Sequence, residues 1–215
     1  MNTQAPAAQP DLDREWWLRT LAIFQSPRTV FAALRDDSDE SAGARQEPVL
    51  LLVILAGATA VLTSPSTGTL MDNPERDGLL VAVLVFILAL FYGAAFYWLG
   101  GVAVYLGMRG AGSKGSYRRA RHVLGFAAAP AALALLVWLV EIAVYAGDVF
   151  RTGGSDTGAG HWLFETIEAA FFLWSFALLV YGVQVVEQWK LVRALGALGL
   201  TAFVLVGIGL IPGLL

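Results

Sequence analysis

The sequence predicts an all-α, polytopic membrane bundle of five transmembrane helices, with the N-terminus cytoplasmic and the C-terminus outside. Three observations predict it. Apolar residues fill 57% of the 215 positions and charged ones only 14%, against about 25% charge in a soluble domain, and mean hydropathy is +0.66. Charge is unevenly placed: residues 1–48 carry thirteen charged side chains, whereas 79–108 and 194–215 carry none. The third observation is an alternation of arginine-rich and arginine-poor connections between the apolar runs.

Residues 1–10 read as disordered, and a polar leader this long before the first apolar run argues against a cleavable signal peptide, so the first span is expected to act as its own insertion signal. Between Asp11 and Phe24 the residues Leu12, Trp16 and Ile23 share a helical face, but Arg19 intrudes on it. The next segment is cleaner. Ser26 is placed to cap a helix with Pro27 at its first position. Val30, Phe31 and Leu34 then cluster on one side, and Arg28 and Arg35 sit toward the other. That pattern fits a short helix on the inner membrane surface or one packed on the loops. Residues 36–47 read as an acidic, flexible linker, which makes 1–47 a cytoplasmic region and 48–215 the membrane domain.

Five apolar runs follow, each near the roughly 20 residues that cross a bilayer. The predicted spans are about 49–64, 79–108, 123–147, 163–186 and 191–215. The first is short, opened by Pro48 and closed by Ser64-Pro65. The second is longer than the hydrocarbon core at about 1.5 Å per residue, so Gly100-Gly101 kinks it or its inner end continues into the cytoplasm. Pro130 lies inside the third and Pro212 near the end of the fifth. Twelve of the fourteen lysines and arginines fall in the N-terminal region, the 109–122 connection and the 187–193 turn. Only Arg76 and Arg151 lie in the remaining two connections. Basic residues near span ends stay cytoplasmic, and the alternation requires an odd number of spans.

Cysteine is absent, which excludes disulfides, thiolate metal sites and cysteine nucleophiles. No Gly-Lys-Ser/Thr phosphate loop, His-Glu-x-x-His or Gly-x-Ser-x-Gly motif occurs. The two histidines, His122 and His161, fall on opposite predicted sides. The expectation is therefore no enzyme, no cofactor, no metal and no nucleic-acid partner, in a multi-pass protein of the cell membrane. Ionisable groups inside spans are the default functional candidates. Glu141 lies in the third span, and Glu165 and Glu168 lie in the fourth. Glu165, Glu168, Phe172, Ser175, Leu179 and Gly182 share one helical face; Glu141, Trp138, Ala134, Pro130 and Ala127 share another. One reading is an intramembrane polar site on Glu141, Glu165, Glu168 and Ser175 that takes a cation, a proton or a polar headgroup, joined by His161 and Arg151. The other is that Glu165 and Glu168 merely complement a helix N-terminus and reach interfacial water. On the basic side, Arg118, Arg119 and Arg121 form a contact for anionic lipid or an acidic partner, or an ordinary positive-inside anchor.

Order along the chain also resembles the Yip1 family, the Ypt-interacting proteins, in the manner of a prokaryotic member. Ser26-Pro27 and Phe31-Ala32-Ala33-Leu34 precede the five spans. A basic loop leads into Gly125-Phe126-Ala127-Ala128-Ala129-Pro130, Leu173-Trp174-Ser175 lies in the fourth span, and Lys190 to Arg193-Ala194 forms a short basic turn. The family's eukaryotic members bind prenylated Rab-type GTPases and act in vesicle traffic. Where those members carry Asp-Leu-Tyr-Gly-Pro, this chain has Met71-Asp72-Asn73-Pro74, so the resemblance implies fold and topology ahead of that activity. The function expected is a non-enzymatic scaffold or adaptor that organises lipids or recruits a membrane or cytoplasmic partner. The alternative is a small transporter or proton pathway through the glutamates.

Overall fold

A computed structural model describes residues 9–210, and all regular structure among them is helical. Three short helices come first: α1 (Gln9–Ala22), α2 (Pro27–Ala33) and α3 (Asp39–Ala44). Of the residues expected to be disordered, Gln9 and Pro10 instead open α1, and 1–8 lie outside the described residues. The apolar helices are α4 (Gln46–Leu62), α5 (Gly78–Ala95), α6 (Gly101–Gly110), α7 (Tyr117–Ala127), α8 (Ala129–Tyr145), α9 (Gly158–Glu187) and α10 (Leu191–Leu210).

Four continuous helical stretches are long and apolar enough to cross a membrane: Asp39–Leu62, Gly78–Gly110, Tyr117–Phe150 and Gly158–Glu187. A fifth apolar helix, Leu191–Gly207, is shorter, and residues 211–215 of the expected fifth span lie outside the described residues. Large apolar side chains stand exposed along α5 (Leu79, Phe86, Phe91), α9 (Leu163, Leu173, Phe176) and α10 (Phe203, Val206). Contiguous apolar surface on this scale marks a membrane or protein contact.

Close helix contacts rest on small residues, as expected where packing rather than water drives association. Helix α4 crosses α5 at Gly57 and Gly93, and a Cβ on Gly57 would stand only 2.7 Å from the Ala89 carbonyl oxygen. Helix α6 meets α10 where Gly107 faces Ala197 and Thr201. Helix α8 packs on both α4 and α9. The expected kink at Gly100-Gly101 is replaced by one wide π-helical turn, Phe96–Gly100, that joins α5 to α6. The glycine pair serves approach instead: a Cβ on Gly101 would lie 2.6 Å from Arg121 Cβ.

The acidic stretch 36–47 is not a flexible linker, and 1–47 is not set apart from the bundle. Ser38 caps α3, its hydroxyl accepting from Ser41 N at 3.4 Å, and Arg45 between α3 and α4 is fully buried. Trp16, Ile23, Val30, Phe31 and Leu34 share one buried cluster with Val49, Phe126 and Val183. The apolar side chains of α1 and α2 are too many to leave in water at about 1.5–3 kcal/mol each, so the segment folds back between α7 and α9. Arg19 does not interrupt the buried face of α1. It pairs with Glu15 at 2.5 Å and lies 4.6 Å over the Trp16 ring.

Candidate functional site

Polar residues concentrate at the two ends of the bundle, and the ends are built differently. At the arginine-rich end, the 109–122 connection meets the N-terminal segment. Ser116 caps α7, accepting from Arg119 N at 3.0 Å, and its hydroxyl also donates to Asp37 Oδ2. Arg118 donates from Nε to Asp37 Oδ1 at 3.1 Å, from Nη1 to Asp39 Oδ1 at 2.6 Å and from Nη2 to the Asp37 carbonyl. Arg119 reaches the Arg35 carbonyl at 2.9 Å, and Arg35 donates from Nε to the Val185 carbonyl of α9 at 3.1 Å. Arg121 stands 4.3 Å over Trp98 and 5.0 Å over Tyr97, a cation–π arrangement. All three arginines expected to meet lipid or a partner therefore make contacts within the chain.

Beneath them lies a set of residues that the sequence reading did not single out. The side chain of Arg45 is 0% exposed. Its guanidinium donates from Nη1 to the Asp36 carbonyl at 2.7 Å, from Nη2 to Asp37 Oδ1 at 3.3 Å and from Nε to His122 Nδ1 at 2.7 Å. An arginine only donates, so His122 Nδ1 accepts and its proton sits on Nε2. That nitrogen lies 3.3 Å from Gln46 Oε1, which also accepts from the Tyr97 hydroxyl at 3.1 Å. Burial pushes the Asp37 carboxyl up, but the Ser116 hydroxyl and Arg118 outweigh it and hold Asp37 below the ordinary carboxylate value. A signal for this network was present in the sequence: four carboxylates at 36–40 complement the basic run at 118–121.

The opposite half is apolar and sparsely paired. Glu141 of α8 and Glu168 of α9 are 5% and 3% exposed, on two helices that pack against each other. Glu168 Oε1 has no hydrogen-bond partner, nor does the buried Trp138 Nε1 beside it. Glu165 does not join them: it is half exposed and pairs with His161 Nε2 at 3.2 Å. Arg151 is exposed in the loop between α8 and α9. Asp72 links the two connections at this end, accepting from Thr152 N at 2.8 Å and Thr152 Oγ1 at 2.6 Å.

Ser175 lies two turns along α9 from Glu168, about 10 Å at 1.5 Å per residue, and has a different partner. Its hydroxyl accepts from Ala131 N at 2.9 Å, while Thr59 Oγ1 donates to the Ala131 carbonyl at 2.9 Å. Helices α4 and α9 thus hold the N–H and the C=O of one residue, Ala131, just past the α7–α8 break, where Pro130 supplies no N–H. Among the described residues no three His, Asp or Glu side chains converge in a way that could hold a metal ion.

The break before Pro130 seats the Gly125–Pro130 stretch against α4, and a family comparison covers that stretch together with nearly the whole bundle. The Yip1 domain matches residues 21–211. The chain belongs to the Yip1 family. No curated protein and no solved structure matches it. The Yip1 match begins at the end of α1 and takes in α2, α3 and every apolar helix, so the buried Arg45–His122 network and the Glu141–Glu168 pair both fall within the Yip1 domain.

Proposed function

We propose that this Yip1-family protein is a non-enzymatic scaffold of the cell membrane. It spans the bilayer five times, its arginine-rich end is cytoplasmic, and that end recruits a protein partner or organises lipids. Orientation rests on the twelve-to-two bias of basic residues. The observation that carries the reading is the network around Arg45, which fixes α1–α3 against the 109–122 connection as one platform. A rigid, charged end of this kind suits docking. Arg118, Arg119 and Arg121 then serve first to hold the platform, and headgroup contact falls to the parts of their guanidiniums left exposed.

Two experiments test this. Reporter fusions in the 109–122 connection and after residue 210 place the former inside and the latter outside; the reverse result overturns the orientation. Gentle detergent purification of the wild type, set beside a variant lacking residues 11–35, is expected to lose a stoichiometric partner or bound anionic lipid in the variant. Identical co-purification from both overturns the scaffold reading.

A second reading, a cation or proton pathway, is favoured by one observation: two carboxylates buried between apolar helices, one with an unpartnered oxygen. Such groups mark ion paths in many membrane proteins. Liposome flux that vanishes in Glu141→Gln and Glu168→Gln, with residues 11–35 dispensable, would replace the scaffold reading.

A further inference from the structure

The region between α4, α5, the α7–α8 break and α9 holds a cleft of about 290 Å³, near the lower bound of the roughly 300–1,000 Å³ typical of ligand sites. Small residues line one side, Ala56, Gly57 and Ala60 from α4 and Ala128 and Ala131 at the break; Leu124, Phe172 and Leu179 line the rest, and the exposed Tyr92 of α5 and Phe176 of α9 flank its mouth. Both mouth residues are exposed on the faces that carry the other large apolar side chains of α5 and α9.

Three features decide what such a space accepts. Its lining is almost wholly apolar: besides Tyr92 at the mouth, Ser175 is the one polar side chain among the lining residues, and its hydroxyl already accepts from Ala131 N. A water molecule needs two to four polar partners, more than the single Ser175 hydroxyl offers inside the cleft. The space also resists collapse. Gly57 must stay small for α5 to approach α4, and the Thr59 and Ser175 hydroxyl contacts on Ala131 hold the break in place. Finally, the mouth is continuous with the surface read as facing lipid, so an occupant enters sideways from the bilayer.

We infer that this cleft holds one acyl chain of a bilayer lipid, inserted between α5 and α9 with its headgroup outside. The inference rests on the membrane-spanning reading. The test uses the purified full chain in liposomes of phosphatidylcholine bearing a diazirine in one acyl chain, irradiated and mapped by mass spectrometry. Adducts are expected at Tyr92, Ala128 and Phe176. In Ala60→Phe they fall by roughly tenfold, equivalent to about 1.4 kcal/mol of lost binding, while labelling at Phe203 of α10 stays unchanged. Excess unlabelled fatty acid added to the wild type gives the same selective loss, which keeps the test decisive if the variant misfolds. Cleft labelling no higher than at Phe203, or insensitive to both competitor and filling, overturns the proposal. So does protection of the cleft by a second copy of the chain, detected as a cross-linked dimer. Absence of label at Phe203 as well would instead overturn the membrane reading itself.

Discussion

The two ends of the bundle hold buried charge in opposite ways. At the arginine-rich end, Arg45 is enclosed, yet a carboxylate, a carbonyl oxygen and a histidine nitrogen receive its N–H groups. In the other half, Glu141 and Glu168 are enclosed on two packed apolar helices, and Glu168 Oε1 has no hydrogen-bond partner. A compensated buried charge ties elements together, because removing either member leaves the other stranded. An uncompensated one contributes no cohesion and stands as a liability that the rest of the fold must offset. The first end is therefore built as a joint, and the second keeps two groups whose value to the protein does not lie in stability.

The sharpest way to break this contrast is at Arg45. Arg45→Ala leaves Asp37 half-compensated and His122 Nδ1 unpaired. The expected loss is about 3–5 kcal/mol, the range for breaking a buried pair, read as denaturant unfolding in mild detergent. A loss below about 1 kcal/mol would mean that the network is ornamental. Ser175→Ala comes next, with an expected cost of about 1 kcal/mol, the scale of an interhelical hydrogen bond in a membrane. It should act through the α7–α8 break without altering the arginine-rich end, and a Thr59→Val, Ser175→Ala pair should deviate from additivity because both grip the backbone of one residue, Ala131.

Acid should loosen the joint by a smaller amount, since water still reaches Asp37. The folded state holds the Asp37 carboxyl below its ordinary value, so its contribution is present above the usual carboxylate range and fades as pH falls through the depressed value. Limited proteolysis between α1 and α3 should accelerate at low pH in the wild type. In Asp37→Asn cleavage should be fast and independent of pH; a pH response that survives the substitution would assign the effect elsewhere. The smallest change is expected at Glu168→Gln, which removes an unpartnered charge. Its unfolding midpoint should stay level or rise slightly, with a gain of up to about 1 kcal/mol. A marked fall would show that Glu168 has a stabilising partner after all.

Much of the apolar architecture was legible because span-length hydrophobic runs carry their own signature. The runs placed at 79–108 and 163–186 correspond to continuous helix over Gly78–Gly110 and Gly158–Glu187. The face of Glu141, Trp138 and Ala134 is buried as the helical spacing implied. Illegible were the pairings across the chain. Arg45 read as one more solvated charge in an acidic linker, because nothing local reveals that His122, 77 positions on, supplies an acceptor. Ser175 read as part of the glutamate site because a shared face says which side of α9 it occupies, not that Ala131 on α8 needs its hydroxyl. Glu165 shares that face as well, yet one turn of α9 separates its half-exposed position from the enclosed one of Glu168, which the spacing alone does not reveal.

The wide turn at Phe96–Gly100 has a geometric effect on everything below it. One surplus residue in a turn shifts the phase of the downstream residues by about 100°. A single uninterrupted rod can thereby offer Ala89 and Gly93 to α4 in its upper half and Gly107 to α10 in its lower half. Such a phase offset is a discrete quantity: removing one position within the turn restores ordinary α-helix and keeps Gly107 against Thr201, whereas removing one position between it and Gly107 would swing Gly107 away and unzip the lower pair while the upper crossing stayed intact.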